Sequence, residues 1–246
     1  MDLNVRTEMK FIVPKAQHST ILDIINSHAA YDSFAKANGK YRITNLYFET
    51  DDNRIYYETV NRDRFRQKLR LRSYGDIELD DEVFFELKQK HRGIVSKRRT
   101  RIRLSDFYRL KDNNYSIDST YNVSNMQALK EIVYFREFYN VKPKMVLTYE
   151  RQAFVGVNDS DLRITFDTNL KCREKDLRLE SKQKGEYFLD PDKAIMEVKV
   201  RNGVPLWLAR ALSELNCFKQ RVSKYRLAFE KPYLYEQQLL GRGDVV

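Results

Sequence analysis

Cysteine, glycine, proline, histidine and tryptophan are all scarce in this chain, and each scarcity removes something from consideration. Two cysteines, Cys172 and Cys217, are too few for a disulfide framework and fit no metal-ligand spacing. They read as reduced thiols of a cytoplasmic protein. With 8 glycines and 5 prolines there is no stretch rich enough in them to separate two cores. The expectation is one domain over residues 1–240, with 241–246 a disordered tail. No apolar run approaches the roughly 18 residues needed to span a bilayer, and Met1-Asp2-Leu3-Asn4-Val5-Arg6 is no signal peptide. His18, His28 and His91 fall in helix or turn contexts and are weak candidates for acid–base chemistry. Trp207, beside Leu206 and Leu208, reads as the apolar face of a packed helix.

Positive charge is abundant. Lysine and arginine total 45 against 35 acidic residues, a formal net charge of +10. That balance favours an anionic partner: nucleic acid, a membrane surface, nucleotides or a phosphate polymer. The arrangement of the charge says more. Lys68, Arg70 and Arg72 interleave with Leu69 and Leu71, and Glu86 and Lys88 with Phe85 and Leu87. Lys97, Arg99, Arg101 and Arg103 oppose Ile102 and Leu104. Arg163, Thr165 and Asp167 alternate with Leu162, Ile164 and Phe166, as Glu197 and Lys199 do with Met196, Val198 and Val200. In a strand each segment has an ionic face and an apolar one. A single such segment is an ordinary half-buried strand, but E-x-K recurs at Glu8/Lys10, Glu86/Lys88 and Glu197/Lys199. If these faces converge, they form a basic cavity with a few carboxylates. Its natural occupant is a polyanion, because guanidinium groups grip phosphate oxygens in pairs and ammonium groups act as point charges. A carboxylate there pairs with a lysine or holds a divalent metal that bridges phosphates.

The pattern predicts strands at Arg6–Val13, Tyr41–Thr50, Phe65–Tyr74, Val83–Lys90, Lys97–Leu104, Lys144–Val155, Leu162–Thr168 and Ala194–Val200. Turns at Asp51-Asp52-Asn53, Gly75-Asp76 and Arg92-Gly93 make the central strands an antiparallel meander. Ile55–Val60 is a short aromatic segment, and Lys171–Lys184 is charged without clear periodicity. Helices are expected from Pro14 to His28, from a Ser124 cap through Tyr139, over Pro205–Leu215, and in the tail after Ser223. About eight strands are enough to close a barrel with room for an interior ligand.

Eight ordered motifs resemble the VTC domain, the polyphosphate polymerase domain of the vacuolar transporter chaperone and its bacterial relatives, within the triphosphate tunnel metalloenzymes. They are Arg6-x-Glu8-x-Lys10, Leu46-Tyr47-Phe48-Glu49-Thr50, Lys68-Leu69-Arg70-Leu71-Arg72-x-Tyr74, Phe85-Glu86-Leu87-Lys88, Tyr149-Glu150-Arg151-x-Ala153-Phe154, Arg163-Ile164-Thr165-Phe166-Asp167-Thr168-Asn169-Leu170, Met196-Glu197-Val198-Lys199 and Ser223-Lys224-Tyr225. The resemblance implies a mainly β (α+β) fold, a closed eight-stranded antiparallel β-barrel tunnel with helices packed outside. It also implies a basic lining for ATP and inorganic polyphosphate or triphosphate, with Mn2+ or Mg2+ on an acidic residue. Carried over by position, Lys10, Arg70, Arg72, Lys88, Arg163 and Lys199 are the expected catalytic lining. Arg99, Arg101, Arg151, Arg221 and Lys224 are expected phosphate-binding residues, and Glu197 with Glu8 the metal ligands. Arg6 replaces the first Glu of the superfamily's E-x-E-x-K. The expected activity is a metal-dependent polyphosphate polymerase. The alternatives are a triphosphate hydrolase on the same tunnel or a non-catalytic sensor. Nucleic acid is not expected, because the arginines alternate along strands and form no tail or recognition helix. Yeast-type relatives have membrane helices that this chain lacks, so a separate membrane-protein partner is a further expectation.

Overall fold

The computed structural model describes residues 7–35, 39–92, 94–201 and 203–231. Arg6, Gly93 and the 241–246 tail lie outside the described residues. The strands are β1 (Thr7–Pro14), β2 (Ala29–Tyr31), β3 (Tyr41–Glu49), β4 (Phe65–Tyr74), β5 (Glu82–His91), β6 (Ile94–Arg103), β7 (Lys142–Gly156), β8 (Arg163–Arg173), β9 (Glu186–Tyr187) and β10 (Lys193–Val200). The helices are α1 (Lys15–Asn26), α2 (Arg54–Val60), α3 (Leu104–Asp112), α4 (Met126–Tyr139) and α5 (Leu206–Glu214), and residues 224–231 are also helical.

Hydrogen bonding orders the strands β1-β10-β8-β7-β3-β4-β5-β6, with β2 on β7 and β9 on β8. The pairing is antiparallel at β1–β10, β10–β8, β2–β7, β3–β4, β4–β5 and β5–β6. The expected closed barrel is therefore corrected to an open, mainly antiparallel sheet: among the described residues no ladder joins β1 to β6. The reason lies at the two edges. The segment before α4 takes the outer edge of β6, through an Ile102–Val123 bridge and bonds from Ser124 N–H to Arg101 O and from Arg101 N–H to Ser124 Oγ. On β1, the Lys10 carbonyl accepts from the Gln220 backbone instead of from a strand. Dense charge along β6, at Lys97, Arg98, Arg99 and Arg101, is a common guard on an edge strand.

The chain forms two compact units, each discontinuous in sequence. The first comprises Met1–Arg42, Tyr149–Lys171 and Tyr187–Leu227; the second comprises Ile43–Thr148, Cys172–Glu186 and Ala228–Val246. In the first, Ile21 and Ile25 of α1 and Leu208 and Leu212 of α5 bury against Phe11, Val13, Ile164, Phe166, Met196 and Val198. The ring of His18 packs on Phe166 at 4.5 Å, and His28 stacks on Trp207 at 4.3 Å. In the second, Leu69, Leu71, Val83, Phe85 and Ile102 meet Phe107 and Leu110 of α3 and Leu129, Ile132 and Phe135 of α4. Each such side chain contributes about 1.5–3 kcal/mol on burial. Both cysteines are free thiols, and burial pushes Cys172 up to about 11.

One local expectation is corrected and one open segment is assigned. The Asn125 side chain, not Ser124, caps α4, accepting from Ala128 N–H at 2.9 Å, because the Ser124 hydroxyl is spent on β6. The Ile55–Val60 segment lies in helix α2 despite its β-forming residues. Glu49, almost fully buried, accepts the Thr50, Ile55 and Tyr56 backbone N–H groups at 2.9 Å each and so satisfies the helix's open N-terminus.

Candidate functional site

The E-x-K segments of β1 and β10 lie side by side in opposite directions, so Glu8 faces Lys199 and Lys10 faces Glu197. Strand β8 extends both rows, with Arg163 opposite Lys199 and Thr165 opposite Glu197. Unlike charges thus face each other between β1 and β10, while Lys199 and Arg163 place two cations side by side. Lys10 Nζ lies 3.0 Å from Glu8 and 3.2 Å from Glu197, and Lys199 lies 3.9 Å from each. Arg151 donates from Nε and Nη2 to the two oxygens of Asp167 at 2.7 and 2.8 Å. Lys224 Nζ sits between carboxylates, 2.6 Å from Asp167 Oδ2 and 2.7 Å from Glu197 Oε1. Its ammonium also lies 5.2 Å from the Tyr149 ring centroid.

Burial disfavours every charge in this network, yet mutual fields outweigh it. Desolvation would raise Glu197, but Lys224, Lys10, Arg151 and Lys199 hold it well below the usual carboxylate range. Asp167 is likewise depressed, by Arg151 and then Lys224, against complete burial. Lys224 is raised against burial by Asp167 and Glu197, and Lys10 against burial chiefly by Glu197. At the edge of the network Arg163 donates to Asp32 Oδ2 at 2.8 Å, and the Tyr41 hydroxyl donates to the same oxygen at 3.2 Å. Burial and then Asp32 push the Tyr41 hydroxyl upward.

The second unit is built differently. On one face of β4, β5 and β6, opposite the apolar core, three cross-strand rows follow one another. The first is Lys68–Lys88–Lys97, the second Tyr47–Arg70–Glu86–Arg99, and the third Asn45–Arg72–Phe84–Arg101. These rows hold seven basic residues and one carboxylate. Arg70 Nε donates to Glu86 Oε2 at 2.8 Å, with Lys97 at 3.5 Å and Arg99 at 3.8 Å from Oε1. Burial would raise Glu86, but Arg70, Arg72 and Lys97 lower it. Arg72 Nε donates to Asn45 Oδ1 at 2.7 Å, and the Arg99 guanidinium covers the Phe84 ring at 4.6 Å. Arg101 turns to the rim, where it pairs with Glu82. Directly opposed like charges destabilise a sheet, so the lysine row is an unusual use of three facing positions.

Residues 5–233 match the model of the VTC domain. The chain belongs to this family. Among curated proteins, subunit 4 of the vacuolar transporter chaperone complex of Schizosaccharomyces pombe is 24% identical over 151 residues, which are 54% of this chain and 21% of that protein. The chain therefore spans about a fifth of the length of that relative. Among solved structures, an adenylate cyclase candidate from Bacillus halodurans superposes with a TM-score of 0.51 at 15% identity, covering 89% of this chain and 94% of the other. The PH1819 protein of Pyrococcus horikoshii gives a TM-score of 0.48 at 13% identity, covering 92% and 99%. The Bacillus structure speaks to the fold alone.

Within this VTC-domain chain the expected residues divide between the two units. Glu8, Lys10, Arg151, Arg163, Glu197, Lys199 and Lys224 join the first network; Arg70, Arg72, Lys88, Arg99 and Arg101 stand on the second face. Arg221 is exposed in the coil after α5, and the first network closes through Lys224. Asp32, Asn45, Tyr47 and Asp167 were not among the expected site residues. Asp167 had a signal, since it continues the parity of Arg163 and Thr165 into a buried strand. Asp32 had none, because its partner lies 131 residues away.

The donor set suits a hard divalent ion. Glu8 and Glu197 supply carboxylates, and opposite Glu197 the buried Thr165 Oγ1 has no hydrogen-bond partner among the described residues. No group of three or more His, Cys, Asp or Glu suited to a metal occurs among the described residues. Such an ion would therefore draw its remaining ligands from phosphate oxygens and water, the usual mode for Mg2+. No helix among the described residues is long and apolar enough to cross a membrane.

Proposed function

We propose that this VTC-domain chain is a metal-dependent polyphosphate polymerase that moves the γ-phosphate of ATP onto a growing polyphosphate chain. The observation that supports this most is the cationic face of β4–β6, where three cross-strand rows hold seven basic residues and Glu86 is their one carboxylate. The rows themselves hold seven cationic side chains to one carboxylate, and a chain of phosphates would bring negative charge in repeating units. Arg70, Arg72 and Arg99 carry guanidinium N–H donors suited to phosphate oxygens, whereas Lys68, Lys88 and Lys97 act as point charges.

Phosphoryl transfer asks a protein mainly for positioning and charge neutralisation. A terminal phosphate oxygen of the acceptor forms a bond to the γ-phosphorus. The bond from that phosphorus to the β–γ bridging oxygen breaks, and ADP leaves with the electron pair. Lys10, Lys199 and Arg163 are the groups of the first network suited to stabilising the charge that develops. A divalent ion on Glu197 and Glu8 would neutralise phosphate oxygens when bound. The test is a product assay with ATP and Mn2+ on the full chain. Long phosphate chains and ADP are the expected products. Free phosphate without polymer would make the chain a hydrolase, and binding without turnover would make it a sensor.

A further inference from the structure

Lys224 is hard to explain as a simple phosphate ligand. Its side chain is only 10% exposed, and its ammonium bridges Asp167 and Glu197 at 2.6 and 2.7 Å. One cation held between two carboxylate oxygens is the arrangement a hard metal ion makes. Lys10 adds a second ammonium 3.2 Å from the same Glu197 Oε1. A divalent ion arriving there would meet occupied oxygens and two like charges within a few ångström. The network is also lopsided in a useful way. Asp167 retains two short bonds from Arg151 whatever Lys224 does. Among the described residues Glu197 has no such guanidinium pair and keeps only Lys10 at 3.2 Å and Lys199 at 3.9 Å, so departure of Lys224 removes its shortest contact while leaving Asp167 paired.

We infer that the Lys224 ammonium is a resident cation that keeps divalent ions off Glu197 until a phosphate group takes the lysine. The inference rests on the reading of Glu197 as the carboxylate that binds the divalent ion. A phosphate oxygen is a strong alternative acceptor for an ammonium. Phosphate and metal then enter together, and each tightens the binding of the other to the same degree. The empty site stays free of metal and free of unpaired buried charge.

Mn2+ binding to the full chain, read from the electron paramagnetic resonance signal of the free aqueous ion, tests this without reference to activity. Lys224→Met is expected to bind Mn2+ about tenfold more tightly than the unaltered chain, the scale of removing one unit charge at contact distance. Inorganic phosphate should tighten Mn2+ binding to the unaltered chain but not to Lys224→Met. Adding Glu197→Gln to Lys224→Met should abolish the gain. Equal Mn2+ affinity with and without Lys224 would overturn the inference. Should Lys224→Met fail to fold, Lys10→Gln, at a more exposed position, is expected to tighten Mn2+ several-fold, and no change there would overturn it equally. A metal-free titration with tripolyphosphate separates the two levels of the argument. If tripolyphosphate binds while Mn2+ affinity is unaltered in every variant, the resident-cation idea falls and the phosphate reading stands. If tripolyphosphate does not bind, the functional reading itself falls.

Discussion

The first unit sets five cations against four carboxylates, whereas three rows of the second hold seven basic residues and one carboxylate. The same E-x-K motif serves both. On β10, Glu197 faces Lys10 and the Thr165 hydroxyl, and Lys199 faces Glu8 on one side and Arg163 on the other. On β5, Glu86 faces two arginines and Lys88 two lysines. What differs is the neighbouring strand, and therefore the register. The first arrangement is internally satisfied and contributes to holding its unit together. The second is held in place by the apolar core behind it, and its rows carry a large excess of cations over carboxylates.

The comparison breaks most readily through Asp167. Asp167→Ala leaves Arg151 and Lys224 buried without their shared partner, and the expected loss is about 3–5 kcal/mol in urea unfolding. Arg70→Ala takes the 2.8 Å partner from the buried Glu86, but Lys97 and Arg99 remain 3.5 and 3.8 Å away, and the expected cost is smaller, about 1–3 kcal/mol. Equal losses would erase the distinction. Next in size, tripolyphosphate at a hundred times its dissociation constant should stabilise the chain by about 2.7 kcal/mol. That gain should shrink in Lys88→Ala when followed by thermal unfolding. Lys88→Ala and Arg70→Ala are also expected to abolish ATP turnover with circular dichroism unchanged. Lys88→Ala, which relieves a like-charge row, should leave stability level or raise it by about 0.5 kcal/mol.

The smallest effect is in pH dependence. Glu197 and Asp167 are depressed from ordinary values of 4.5 and 3.8, so their contribution is full above those values and lost as pH falls through the folded ones. Lys10 and Lys224 are raised from 10.5, so theirs is full below 10.5 and lost as pH rises through the folded values. Glu197→Gln should therefore flatten part of the acid limb of a melting-temperature profile. An unaltered limb would show that the pair contributes nothing to stability.

Much of this was legible in single segments. The β4 strand lies where its alternation put it, and Lys97, Arg99 and Arg101 do oppose the buried Ile102. The face-sharing of Glu86 with Lys88 follows from period two alone. What escaped the sequence was non-local. Glu197 meets Lys224 from 27 residues away and Arg163 meets Asp32 from 131, and no periodicity encodes such meetings. Strand count likewise implied a barrel, but closure depends on what reaches the outer edges of β1 and β6. Those edges were claimed by coil whose residues look like ordinary turn formers. Adjacent Ser124 and Asn125 were equally good caps on chemistry alone, and β6 decided between them.

Glu49 has a practical consequence for mapping this protein. It sits inside Leu46-Tyr47-Phe48-Glu49-Thr50, one of the segments read as resembling the VTC domain, yet its carboxylate accepts from the backbone entrance of α2. A mutational survey scored only by missing polymer would group Glu49 with the chemistry. Scoring soluble yield in parallel would move it to the scaffold, and would keep the assignment of reactive groups from being inflated by a hinge of the architecture.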